Sequence, residues 1–261
     1  MNYPLIDIGV NLMHRSFQQD REAVVANAAA GGVAPLIITG TSLRSSTEAA
    51  RYAGRYPGGL YATAGVHPHD AKSCGAGTIG KLKELAALPQ VVAVGECGLD
   101  YNRDYSPRDV QRKWFAAQVQ LAQKLNMPLF LHEREASRDF AAILKEHSAV
   151  RAVVHCFTGT ASELKTYLDL GLYIGITGWV CDERRGKHLQ ELVRTIPLDR
   201  LMLETDAPFL TPRDLKVKPA EGRNEPVYLQ HILQAVARCI GRPAVEVAKA
   251  ATDNARVFFG L

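Results

Sequence analysis

A chain of 261 residues can bury roughly three quarters of the surface its unfolded form exposes, so its core requires neither disulfides nor a structural metal. Its five cysteines, Cys74, Cys97, Cys156, Cys181 and Cys239, are odd in number and form no CxxC pair, which argues against a disulfide scaffold and suits a reducing cytosol. The formal charge of +4 tolerates a polyanionic partner without demanding one.

No window approaches the roughly 18 apolar residues of a membrane span, and MNYPLIDIGV has no basic stretch ahead of a long apolar one. The expectation is a soluble cytoplasmic protein. Along the chain, short β-branched or apolar runs recur at Leu5–Val10, Val33–Thr39, Leu60–Ala64, Val91–Glu96, Pro128–His132, Ala152–His155, Leu172–Ile176 and Leu201–Glu204.

Segments with helical spacing separate them. Val24, Ala28 and Ala29 precede Gly31–Gly32, and Trp114, Phe115, Val119 and Leu121 fall within Pro107–Leu125. Ser106 before Pro107 reads as a helix start, and Gly171 after Leu164–Leu170 as a stop. Eight strand–helix units with strands apolar on both faces predict a parallel sheet closed into one (β/α)₈ barrel over residues 1–261. An open doubly wound sheet is the runner-up. It would usually carry a glycine-rich phosphate fingerprint after the first strand, and Asp7-Ile8-Gly9-Val10-Asn11 is not one.

In such a barrel, side chains at the C-terminal ends of the strands converge on one mouth. Asp7, the run Gly65–Asp70, Glu96, His132, His155 and the run Glu204–Asp206 all fall there. A single histidine at a strand end is more often a hydrogen-bonded core residue than a ligand. Glu96, His132, His155 and Asp206 together are a different matter, because isolated ionised groups in a low-dielectric interior cost several kcal/mol each and need a partner. A divalent cation would satisfy them at once, and a three-ligand set leaves a position for water that ionises near neutral pH. Cys97, next to Glu96, faces the other way by strand alternation and reads as packing.

At these residues the sequence resembles the TatD family of metal-dependent deoxyribonucleases, within the amidohydrolase-like barrels. The matching stretches are GVHPHD (Gly65–Asp70), VGECGLDY (Val94–Tyr101), MPLFLH (Met127–His132), VVHCFTG (Val153–Gly159) and LMLETDAP (Leu201–Pro208), followed by RNEP (Arg223–Pro226). The resemblance implies metal ligation by Glu96, His132 and His155. It assigns Asp206 as a further ligand or as the base that deprotonates the attacking water. It also implies 3′→5′ exonuclease action on single-stranded DNA and RNA supported by Mg²⁺, with Mn²⁺ or Zn²⁺ as alternatives, and a role in DNA repair or nucleic-acid turnover.

Most family members begin with Asp-x-His-x-His, whereas this chain reads Asp7-Ile8-Gly9-Val10-Asn11 and lacks both histidines. Asp7 and Asn11 then hold waters of a hard ion such as Mg²⁺, and fewer protein ligands are expected. His67 and His69 flank Pro68, so turn and substrate contact outweigh ligation for His67. Arg134 is placed to meet a phosphate oxygen with two parallel hydrogen bonds. Trp179, Phe157 and Tyr101 are candidates for base stacking, each individually more often packing. Cys181–Gly186 with Arg213, Lys216, Lys218 and Arg223 offers basic loops to a backbone, a solvated face being nearly as probable. The reading is a monomeric or weakly associating exonuclease. Its rivals are a metal hydrolase of amide, lactone or aminoacyl ester bonds, and a nucleic-acid-binding barrel whose metal site has decayed.

Overall fold

The computed structural model describes residues 2–147, 151–184 and 186–261, so Arg185 of the basic segment lies outside the described residues. Strands β1 (Leu5–Val10), β2 (Val33–Ile38), β3 (Leu60–Ala64), β4 (Val91–Asp100), β5 (Leu129–Arg134), β6 (Ala152–Val154), β7 (Tyr173–Ile176) and β8 (Leu201–Leu203) form one sheet in chain order. Every neighbouring pair is parallel. Helices α1 (Arg21–Ala30), α2 (Leu43–Ala53), α3 (Thr78–Ala86), α4 (Arg108–Leu125), α5 (Ser137–Glu146), α6 (Ala161–Asp169) and α7 (Lys187–Leu192) lie between the strands, and α8 (Leu229–Ile240) and α9 (Ala244–Phe259) follow β8. The eight strand–helix units read from the sequence are therefore present as an α/β barrel.

Strand periodicity divides the apolar side chains between two layers. Leu5 of β1 belongs to the larger strand–helix cluster, whereas Ile6 and Ile8 join Ile37, Ala93, Phe130, Val153 and Met202 in a separate one. Phe258 and Phe259 of α9 pack into that second cluster beside Tyr61, Val92 and Tyr173 near the strand starts. The C-terminal helix thus plugs the end of the barrel away from the mouth. Full burial of a ring such as Phe258 contributes about 1.5–3 kcal/mol.

β4 departs from the expected length. It runs on to Asp100 because two glycines let it lie close against β5. Gly95 and Gly98 adopt φ of 140° and 147°, which side chains rarely tolerate. A Cβ at Gly95 would sit 2.2 Å from the Phe130 carbonyl oxygen, and one at Gly98 1.8 Å from that of His132. Between them the register slips: Gly95 lies opposite Phe130 and Cys97 opposite Leu131, which leaves Glu96 as the extra residue of a bulge. Bulges re-aim side chains, and this one sets Glu96 at the mouth while Cys97 packs fully buried in the strand–helix layer.

The barrel closes between β1 and the chain just past β8. Asn11 N–H donates to the Ala207 carbonyl (2.7 Å) and Asp206 N–H to that of Gly9 (2.8 Å). The Asp7 carboxylate accepts from Thr205 N–H (2.9 Å), the Thr205 hydroxyl (2.5 Å) and Gly9 N–H (3.2 Å). Asp7 is fully buried and is not among the residues lining the mouth. Its expected water-mediated contact to a metal finds no support in that placement: the carboxylate is spent on holding the seam shut.

Burial pushes the Asp7 pKa up to about 8, against the lowering effect of its hydrogen bonds from Thr205 and Gly9. A carboxyl whose folded pKa exceeds its unfolded value contributes fully below the unfolded pKa, and the contribution is lost as pH rises towards the folded one. Wild-type stability should therefore decline between about pH 4 and about pH 8 relative to Asp7→Asn. Thermal unfolding of the two proteins across that window checks it; parallel curves would remove Asp7 as the cause.

Candidate metal centre at the barrel mouth

The strand ends enclose a cavity of about 1150 Å³ whose wall includes Glu96, Asp100, His132, His155 and Asp206. At its centre three imidazoles converge on one carboxylate oxygen. Glu96 Oε1 lies 2.7 Å from His155 Nε2, 3.1 Å from His132 Nδ1 and 3.3 Å from His67 Nε2. The ligand-type atoms of His67, Glu96 and His132 all fall within 4.8 Å of one another. His67, read from the sequence as a turn and substrate residue, thus stands with the candidate ligands, and His155 approaches the same oxygen.

His132 and His155 are oriented from behind by carboxylates, and His67 by the His69 N–H, which donates to its Nδ1 at 3.1 Å. His132 Nε2 lies 3.2 Å from Asp100 Oδ2, which also takes His69 Nε2 at 2.7 Å, while Asn102 and Arg103 N–H groups hold Asp100 Oδ1. With the proton on Nε2, His132 presents the Nδ1 lone pair to the site, the carboxylate–histidine arrangement that fixes ligand tautomers in metal centres. His155 Nδ1 faces Glu204 Oε2 at 3.4 Å, and Glu204 Oε1 accepts from Cys156 N–H at 2.5 Å. Glu204 fits only because its neighbours lack side chains: a Cβ on Gly9 or Gly175 would sit 2.4 or 2.5 Å from its oxygens.

Charges follow this geometry. Burial opposes the Glu96 carboxylate, but His155, His67 and His132 outweigh it and hold its pKa well below the usual range. Burial likewise opposes the His155 imidazolium, yet Glu96 and Glu204 raise its pKa well above the ordinary histidine value. Burial pushes His67 down to about 4, with Glu96 pulling the other way, so its ring is neutral; with Nδ1 accepting from His69 N–H, the proton lies on Nε2 and faces Glu96. The metal-free chain neutralises Glu96 with a proton on its histidines, in the place where a cation would do the same.

Asp206 sits at the cavity edge in a left-handed conformation (φ 55°). Asn11, which also lines the cavity, donates from Nδ2 to Asp206 Oδ1 at 2.7 Å and so orients that side chain. Burial pushes Asp206 up to about 7; Glu96 and Glu204 add to the effect, and His155 and Asn11 work against it. A carboxyl poised there is matched to proton transfer near neutral pH.

The periphery sorts the remaining candidates. Arg134 is exposed at the rim, where Arg103 also lines the cavity. Trp179 lines the wall, but Phe157 is buried against Tyr167, and Tyr101 is held by a hydrogen bond to Asp139 (2.7 Å) under the Arg108 guanidinium. Those two rings are packing. Arg223 is paired with Asp20 (2.6 Å) and Glu225 (2.7 Å) over the Phe17 ring, and Arg213 with Asp182 (3.6 Å). Neither arginine lines the cavity, and both are engaged by carboxylates.

Besides Arg103, three residues escaped the sequence reading. Asp100 lay inside VGECGLDY but beyond the expected end of its strand, and Gly98 was the available sign that β4 continues. Glu204 stood beside Asp206 with nothing to show which of the two faces the mouth. Phe209 is 48% exposed at the rim, edge-on to His14 with ring centroids 5.3 Å apart; no local pattern marks it.

The barrel is shared with known proteins. Residues 6–260 match the family model of TatD related DNase. The chain is 50% identical to a 3'-5' ssDNA/RNA exonuclease TatD from Rahnella sp. (98% of each chain) and 49% identical to that from Escherichia coli K12 (98% and 99%). Among solved structures it resembles a TatD homologue of Escherichia coli K12, YJJV, with TM-score 0.90 and 29% identity over the whole of both chains. A TatD family hydrolase from Entamoeba histolytica matches with TM-score 0.90 and 27% identity over 99% of each chain.

Proposed function

The chain belongs to the family of TatD-related DNases, and from that membership we infer that it is a metal-dependent phosphodiesterase removing nucleotides from the 3′ end of single-stranded DNA and RNA. The observation that carries the reading is the convergence of three imidazoles on Glu96 Oε1 at the mouth, in a chain half identical to relatives named for that activity. The enzyme depends on a divalent metal. We assign the ion to Glu96, His132 and His155, with Asp206 at its edge and the protonated Nε2 of His67 turned to Glu96 beside it. The donor set fits, since imidazole and carboxylate suit divalent first-row ions and Asp100 and Glu204 supply the outer hydrogen bonds.

A bound divalent ion polarises the phosphate and acidifies water. The chain's own residues do the rest. Asp206 Oδ2, the oxygen that Asn11 does not engage, takes the proton from the attacking water. Arg134 and Arg103 meet the non-bridging oxygens, where a guanidinium can donate two parallel hydrogen bonds. Phe209 and Trp179 offer ring faces to the terminal bases. We take Mg²⁺ as the working ion on the family resemblance. The imidazole-rich set should hold Mn²⁺ more tightly. We further propose one monomeric barrel over residues 1–261, acting in the cytoplasm in nucleic-acid turnover or DNA repair.

The test is digestion of a 5′-labelled single-stranded oligonucleotide by metal-stripped protein with Mg²⁺, Mn²⁺ or Zn²⁺ restored separately. A ladder shortening from the 3′ end is expected. Turnover of esters or cyclic amides with none of the oligonucleotide would instead establish a carbonyl hydrolase, and binding without cleavage a decayed site. Phe209→Ala should raise KM for oligonucleotides with little change in kcat, since stacking on one aromatic ring is worth about 1–3 kcal/mol per base. An unchanged KM would take Phe209 out of substrate binding.

A further inference from the structure

Away from the mouth, a second set of ligand-type side chains draws three separate parts of the chain together. Cys181 ends the helical turn Gly178–Cys181 after β7, Asp214 lies in the excursion between β8 and α8, and His231 is in the first turn of α8. Their sulfur, oxygen and nitrogen atoms all fall within 4.8 Å of one another. His231 Nε2 is 2.6 Å from Asp214 Oδ1, while Arg238 faces the other oxygen, Oδ2, at 3.7 Å. Beside Asp214 a cavity of about 240 Å³ opens, with Cys239, Gln190 and Arg238 in its wall.

We propose that Cys181, Asp214 and His231 form a second metal site that takes a thiophilic divalent ion, Zn²⁺ being the best match. Thiolate, imidazole and carboxylate are the ligand types of four-coordinate zinc, and the cavity leaves room for a water as the fourth ligand. The ion forms one bond each to Sγ, Nε2 and Oδ1. It displaces the thiol proton to solvent, and the Nε2 proton that His231 gives to Asp214 is replaced by one on Nδ1, so that neutral imidazole ligates. Arg238 then serves the carboxylate from outside, as partners of ligating carboxylates do.

The location gives such a site a purpose. Between Leu203 and Leu229 the chain carries no strand and only three-residue helical turns, an unusually long excursion for a compact fold. It holds both Asp206 and Phe209. Its Leu210 carbonyl is so close to Gly178 that a Cβ there would be 2.2 Å away. An ion joining Asp214 to the turn after β7 and to α8 fixes the loop that carries the base and the rim.

The experiment titrates Co²⁺ into the metal-stripped full-length protein and into Glu96→Ala, which lacks the mouth centre. A near-ultraviolet thiolate-to-cobalt absorption is expected in both. It should be absent from Cys181→Ser and show at least a tenfold weaker Co²⁺ affinity in His231→Ala. Zn²⁺ should raise the Tm of Glu96→Ala but not of Glu96→Ala carrying Cys181→Ser as well. No absorption at saturating Co²⁺, or one that survives Cys181→Ser because it arises at Cys156 in the mouth, overturns the proposal. Should Cys181→Ser fail to fold, an unchanged affinity in His231→Ala overturns it equally.

Discussion

Glu96→Ala should abolish metal-dependent hydrolysis, a loss on the order of 10³-fold or more, exceeding the roughly 10–100-fold of an outer-shell change. Glu96 Oε1 is the atom on which His67, His132 and His155 converge, so its removal leaves imidazoles with no anion between them. Without that carboxylate the histidines shed their proton, and an ion meets only neutral donors. Asp100→Asn sets the scale for comparison. It weakens the hold on His132 and His69 while leaving the donors in place, so excess Mn²⁺ should largely restore its turnover and should not restore that of Glu96→Ala. Calorimetric metal titration alongside the cleavage assay separates the two. A Glu96→Ala protein that binds and turns over like wild type would falsify the centre.

The same variant should keep its fold. Removing one partner of a buried charge pair costs about 3–5 kcal/mol, offset in part here because the histidines can shed their proton. In metal-free buffer the Tm of Glu96→Ala should therefore fall below that of the wild type while its circular dichroism at 25 °C stays unchanged, which separates a loss of chemistry from a loss of structure.

The barrel was legible because its signals are local and repeated. Eight apolar runs recur with helical spacing between them, and each strand needs only its own few residues to declare itself. The strand-end carboxylate and histidines were legible for the opposite reason: they break the apolar pattern where burial is expected. What could not be read depends on contacts between strands distant in sequence. The length of β4 follows from the approach of Gly95 and Gly98 to the β5 carbonyls, and that approach brings Asp100 beneath His132. Asp7 reads as a strand-end acid like the others, and only the fold shows that Thr205 claims it from the far side of the closing seam. Arg223 looks like a substrate cation until Asp20, some two hundred residues earlier in the chain, is found on it.

Asp206→Asn should lower kcat by about 10²–10⁴-fold, the range for loss of a positioned general base, with metal binding largely retained. Asparagine keeps the shape and still accepts from Asn11 Nδ2 through its side-chain oxygen, so what disappears is the ability to take a proton. The pH profile separates this from a merely structural role. Burial lifts the Asp206 pKa to about 7 in the metal-free chain, and a nearby cation favours the ionised carboxylate and draws the value down. In the wild type kcat/KM should therefore rise with pH along an acid limb at or below about pH 7. In Asp206→Asn that limb should vanish while the ion still binds. Asn11→Ala should leave the limb in place and move it upwards, because the hydrogen bond from Asn11 stabilises the carboxylate. If the acid limb persists unshifted in both variants, the proton from water goes to another group, and Glu204, buried against His155 between Gly9 and Gly175, becomes the residue to replace next.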